Sequence, residues 1–323
     1  MPRTAYSKPA KTYSEQVGQL ESRGLKIENK RKALHLLENL SYYRLSGYWY
    51  PMLGEPKKDH VFKPNSTFER SFKIYCFDRE FRKFIMSEIE KIEVAVRAQM
   101  IYTYSHAHGA FWFKDVQLFQ NGHKHQKSIE RFKKEFDDSK EQFIIQFKNN
   151  YNNQLPPSWM LLEIVSFGSL STLFSNLRPG LNKRAVANYF GLDEATFESW
   201  LHSLVYVRNI CAHHSRLWNR SLAIQPVLPI VTQNKWLGKT RLPNHTITGN
   251  SVHVNSKTYC TLSILIYFLN TINPNHSIKE RLYALLRKYP MIDVGAMGFP
   301  DGWKNEVIWG WNKIEKWHHR NKP

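Results

Sequence analysis

Residues 66–104, STFERSFKIYCFDREFRKFIMSEIEKIEVAVRAQMIYTY, decide the fold class. Phe77, Phe81, Phe84, Ile85, Ile89, Ile92 and Val96 recur at intervals of three and four. On a helix of 3.6 residues per turn they form one apolar stripe, with the charges on the other side. Ser66 and Glu69 have the spacing of a capping box that opens the helix, and residues 106–109 end it.

The same periodicity extends outward. Thr12 and Glu15 make a second capping box, opening a short helix that stops at Gly24. A helix from Lys30 carries Ala33, Leu36, Leu37 and Leu40 and runs into the aromatic residues 42–50. Residues 54–64 are polar and bounded by proline, which predicts a loop and a module boundary. Downstream, residues 123–151 read as one helix with a charged first half. Pro156 and Pro157 break the chain, and Ser158 is placed to cap a helix through Trp159, Leu162, Val165 and Leu170. A short helix stops at Gly191. Asp193 then caps a helix with Phe197, Trp200, Leu201, Leu204 and Val205 on its apolar face, continuing to about Arg216. Residues 233–257 predict a long loop or small hairpin, followed by helices over 259–269 and 277–288. Period-two alternation is nearly absent, so the expected fold is all-α. Its expected segments are an N-terminal helical part (1–65), a helical core (66–222) and a C-terminal helical extension (223–323).

The chain has 323 residues, 42% apolar and 14% aromatic, enough to bury a real core. Its 46 Lys and Arg against 27 Asp and Glu give a net charge of +19. Folding gains nothing from such an excess of like charge, so a polyanionic partner is expected, RNA before others. Cys76, Cys211 and Cys260 are isolated from one another, which fits a reducing cytoplasm better than a disulfide framework. The strongest apolar run, 259–269, is about half of what a bilayer requires. No membrane association is expected.

The densest group of reactive side chains is RNICAHHSRLWNR, residues 208–220. On a helix Asn209 and His213 lie about 40° apart and so share a face, while Arg208 and His213 lie about 140° apart and can line one cleft. A histidine can take the proton of a ribose 2′-hydroxyl or give one to a leaving 5′-oxygen. A guanidinium can hold the phosphate, and an amide can orient the imidazole. By spacing alone the same residues also fit a helix end, where Arg and His meet the last carbonyls and the dipole.

Residues 208–213 resemble the R-polar-x-x-x-H signature of HEPN ribonucleases. The chain more specifically resembles abortive-infection AbiD/AbiF-like proteins of bacterial phage defence. That resemblance is carried by YYRLSGY (42–48), FDREFR (77–82), IEVAVR (92–97), Trp159 with Glu163 and SFG (166–168), and residues 208–220. It implies a HEPN helical bundle and a metal-independent ribonuclease, with catalytic Arg208, Asn209 and His213. Because only one copy of the motif is present, it also implies a homodimer that joins two motifs in one cleft. Neither an antitoxin nor an RNA regulator can be named from the sequence.

Other residues are weighed beside these. Glu163 can orient Arg208 or His213, or pair elsewhere. Glu93 and Arg97, four apart, favour a structural salt bridge. His214 points about 100° from His213 on a helix, so it can support RNA binding without being the catalytic imidazole. Arg216 and Arg220 are candidate phosphate contacts, or an ordinary solvated helix end. His106, His108, His123 and His125 lack the companions of a zinc site, and no carboxylate cluster suits two metals, so no metal or other cofactor is expected. The aromatic run 42–50 and the late tryptophans can stack on bases, although helical spacing favours core for the first. The alternative to an enzyme is a non-catalytic protein that holds a structured RNA in the same cleft. A module kept inert by a protein partner is a third reading.

Overall fold

The structure is a computed structural model that describes residues 5–240 and 253–310. Among these residues there are twelve α-helices and no strand, so the fold is all-α as the periodicity predicts. The described chain divides into two compact units.

The first unit comprises the chain up to Phe81 together with Leu285–Ile292. It contains α1 (Tyr13–Ser22), α2 (Lys30–Leu40), α3 (Tyr42–Trp49) and the opening turns of α4 (Phe68–His108). The Thr12–Glu15 capping box forms in both directions. The second box does not. Thr67, not Ser66, caps α4 by accepting from the Arg70 N–H at 3.0 Å. The Glu69 carboxylate instead accepts from the N–H groups of Glu28 and Asn29, where α2 begins. Of the aromatic run, Tyr48 and Trp49 are core, and the Tyr48 hydroxyl donates to the fully buried Asp78 carboxylate at 2.7 Å. Tyr43 is 89% exposed.

The second unit comprises Arg82–Ala284 and the chain from Asp293 onward. After α4 come α5 (Gly122–Asp138), α6 (Gln142–Asn150), α7 (Ser158–Ile164), α8 (Phe167–Asn176), α9 (Leu181–Tyr189) and α10 (Glu194–Ala212). α11 (Thr258–Ile272) belongs to it wholly and α12 (Ile278–Lys288) up to Ala284. The helix expected over 123–151 is two, interrupted between Asp138 and Gln142. The one expected after Ser158 also breaks, because Ser166 caps a new start at α8 by accepting from Ser169 N–H.

α11 is buried on every side from Thr258 to Leu269 and packs against α10. A helix apolar all round is a core helix. Among the described residues, no helix is long and apolar enough to cross a membrane. Tyr267 and Phe268 of α11 pack with Phe190 and with Phe197 and Trp200 of α10 in one aromatic cluster, with ring centroids 5.2–5.9 Å apart in edge-on and stacked pairs. Gly191 completes this region at φ +70°. A Cβ there would stand 2.8 Å from Asn234 Nδ2 and 3.0 Å from the Tyr267 hydroxyl, so any side chain would have to displace a neighbour and strain the backbone. Trp303 and Trp309 pack with Tyr259 and Phe299 in the core, while Trp311 and Trp317 lie outside the described residues. So does the middle of the expected loop or hairpin, residues 241–252. Its described end is a single helical turn, Val254–Ser256.

Candidate active site

α10 positions the motif. Its N-cap is Asp193, as expected, whose carboxylate accepts from the Thr196 N–H at 2.9 Å and the Thr196 hydroxyl at 2.6 Å. Burial opposes ionisation there, yet these hydrogen bonds hold the Asp193 carboxyl below its ordinary range. Phe197, Trp200, Leu201, Leu204, Val207, Ile210 and Cys211 are buried. That face fixes the rotation of the helix and leaves Arg208 partly exposed and Asn209 exposed.

The helix ends at Ala212, four residues before the expected Arg216. His213 is its C-cap, and its N–H donates to the Asn209 carbonyl at 2.9 Å. His214 N–H then donates to Cys211 O and Ser215 N–H to Ile210 O, both at 3.0 Å. These are the two bonds of a Schellman ending. His214 holds its left-handed position at φ +56°, where glycine is usual and histidine is tolerated better than most residues. His214 is therefore a turn-former beside the motif, not the next residue on a helix.

Arg208 Nη1 donates to Asn209 Oδ1 at 3.4 Å. The Asn209 amide is thus engaged with the guanidinium rather than with the His213 ring. The His213 side chain is exposed and makes no hydrogen bond among the described residues, and Arg208 makes no ion pair among them. Arg216 Nη1 donates to the Asn219 carbonyl at 3.4 Å and Arg220 Nη1 to the Arg216 carbonyl at 3.2 Å. Both guanidinium groups brace a turn made by Asn219 at φ +50°. They do not sit on a solvated helix end.

A family model described as Abi-like protein matches residues 35–219, more than half of the chain. The chain belongs to the Abi-like family. No curated protein and no solved structure matches it. Membership suggests a role in abortive infection, a form of phage defence. The match spans all of 42–48, 77–82, 92–97 and 159–168, and it contains the whole of Arg208–His213.

Several of those segments of the Abi-like chain serve the fold. Arg97, buried, donates to the Glu93 carboxylate at 2.7 Å and to the Val165 carbonyl at 3.1 Å, tying α4 to the junction of α7 and α8. The structural reading of this pair holds. Glu163 is exposed and touches neither Arg208 nor His213 through a hydrogen bond or ion pair. His125 is buried against Phe119, 4.3 Å between ring centroids, with Nε2 2.8 Å from the Phe113 carbonyl. His108 bonds Asn182. Among the described residues no group of three His, Cys, Asp or Glu is placed to hold a metal.

Two further features of this Abi-like chain were invisible to spacing. A cavity of about 470 Å³ lies between α8 and α10, lined by Ser171, Thr172, Ser175, Glu198, Ser199 and His202, toward the opposite end of α10 from the motif. The other is Lys257, whose charge interacts with that of Arg216. No local signal marks Lys257. Its neighbourhood meets the segment leaving the motif through contacts distant in sequence, the Leu222 N–H to Ser256 O bond of 2.8 Å and the Asn255 Nδ2 to Pro226 O bond of 3.1 Å.

Proposed function

We propose that the protein is a metal-independent endoribonuclease of the HEPN type acting in abortive infection. The observation that supports it best is the end of α10, where Arg208 and His213 both reach the surface and Arg208 has no carboxylate partner among the described residues. In this reading His213 moves protons between the ribose 2′-hydroxyl and the leaving 5′-oxygen. Arg208 neutralises charge growing on the phosphate oxygens, held by Asn209 in the direction of the cleft. The products are a 2′,3′-cyclic phosphate and a 5′-hydroxyl. One chain gives the imidazole no orienting acceptor among the described residues. A second copy, meeting the first across a two-fold axis, supplies the remaining groups.

RNA digestion in EDTA tests this. The wild type is expected to cleave, and His213→Ala to lose about 100-fold or more of the rate. Cleavage that survives the substitution removes His213 from the mechanism.

The Arg208–Asn209 bond favours one other reading, a non-catalytic protein that holds a structured RNA. It leaves the base without the orienting contact that nucleases of this logic need. Its signature is salt-sensitive RNA affinity without cleavage, weakened by Arg208→Ala and barely touched by His213→Ala.

A further inference from the structure

The cavity between α8 and α10 lies outside the Arg208–His213 motif and within the second unit. Its volume of about 470 Å³ suits a small ligand or a single residue of a polymer. Hydroxyl, carboxylate and imidazole groups make up most of its wall. Ser171, on that wall, is only 8% exposed, yet its hydroxyl makes no hydrogen bond among the described residues. A hydroxyl so enclosed costs free energy unless something bonds to it, and the cavity is the space from which a partner can reach it. Ser199 Oγ accepts from the Val227 N–H at 2.9 Å, so its own proton is left to donate.

Glu198 adds a carboxylate held in a set direction. Lys183, buried, donates to Glu198 Oε2 at 3.2 Å and to the Leu177 and Ser175 carbonyls at 3.0 and 3.3 Å. The ammonium offsets the carboxylate charge, so a polyanion can approach, and Glu198 Oε1 keeps no hydrogen bond among the described residues. His202 lines the cavity one turn further on, exposed and without a hydrogen bond among them, and its ring can take a stacked base. The cavity also shares a face with the motif. Ala195, Glu198, His202 and Asn209 fall within about 60° of one another around α10, and His202 lies about 10 Å along the axis from Asn209. All four are exposed or partly exposed, while Phe197, Trp200, Leu201, Leu204 and Val207 between them are buried.

We propose that this cavity is a base-reading pocket for one guanine of single-stranded RNA, a few nucleotides from the phosphate held at the motif. Guanine alone among the four bases carries two adjacent donors on its pairing edge, N1–H and the N2 amino group, and a carboxylate accepts from both. Adenine and cytosine set a ring acceptor beside their amino group, which the Glu198 carboxylate repels. The Ser171 and Ser199 hydroxyls supply donors for the acceptors O6 and N7, and the His202 ring stacks on the base. That the ligand is RNA rests on the ribonuclease reading, whereas its identity as guanine rests on the cavity. The pocket sets the register of the strand and contributes no group to the chemistry.

The test uses full-length protein carrying His213→Ala, so that binding is measured without cleavage, and uracil oligonucleotides at one salt concentration. A single central guanine is expected to tighten binding about tenfold over the all-uracil strand. Inosine in its place, which lacks the N2 amino group, should give a smaller gain. Glu198→Gln turns one acceptor into a donor and is expected to erase the guanine gain. Because that change also touches Lys183, Ala195→Phe serves beside it. It fills the cavity from an exposed position on its rim, keeps the Lys183–Glu198 pair, and is likewise expected to erase the gain. Equal affinity for the guanine and all-uracil strands, a gain that survives either variant, or no RNA binding at all overturns the pocket. If the strands bind equally while the wild type cleaves RNA through His213, the ribonuclease reading stands without the pocket. If the gain is present and lost in both variants but the wild type never cleaves, the ribonuclease reading fails and the pocket stands.

Discussion

The Tyr48 hydroxyl donates to a carboxylate that water does not reach, that of Asp78. Tyr48→Phe keeps the ring and deletes the donor, so it should cost about 1–3 kcal/mol, read as a lower denaturant midpoint at unchanged slope. A cost near zero would show that Asp78 is satisfied without it. Tyr48, Asp78 and Arg97 all lie within the family match, yet each acts in a fold-holding bond. The exposed motif residues are of another kind. Arg208 offers a planar fork that lysine cannot reproduce. On the ribonuclease reading, Arg208→Lys should lower cleavage at least about tenfold while leaving the melting temperature within a degree or so. A lysine variant with full activity would mean that charge alone is needed there.

The element that carries the site depends on its cap. Asp193→Ala should cost about 1 kcal/mol, because two hydrogen bonds at the first turn of α10 are lost. The folded-state pKa of Asp193 is depressed. Its contribution is therefore present above the unfolded carboxyl value near 4 and lost as pH falls through the lower folded value. Wild type and Asp193→Ala should converge in stability at strongly acid pH, and a gap independent of pH would contradict this. Asp193 and Thr12 were legible because their partners lie three residues away. Ser66 misled because Thr67 caps equally well and Glu69 is recruited by α2, some forty residues upstream. The interruption between α5 and α6 contains neither glycine nor proline, and the left-handed turn after α10 uses His214 where glycine is the usual mark. For the site, Arg208, Asn209 and His213 could be singled out by the resemblance to HEPN ribonucleases, since their spacing alone also fits a helix end. The Arg208–Asn209 bond and the approach of Lys257 to Arg216 could not, since one depends on rotamers and the other on a backbone contact over some thirty residues.

At the scale of the whole molecule, a net charge of +19 repels a second copy, so a homodimer must offset that repulsion at its interface. The ribonuclease reading needs such a dimer, and subunit mixing tests whether both chains serve one cleft. Wild-type and His213→Ala chains, co-expressed with different tags at equal levels, assemble at random into about one quarter wild-type, one half mixed and one quarter variant dimers. If each cleft draws its imidazoles from both chains, mixed dimers are inactive and the population retains about a quarter of the wild-type rate. If each chain works alone, about half remains. The mass of the active species should be twice 38.2 kDa by light scattering, at a salt concentration where the charges are screened. Half activity, or full activity in a species of one chain, would separate cleavage from dimerisation and place the second set of catalytic groups within a single copy.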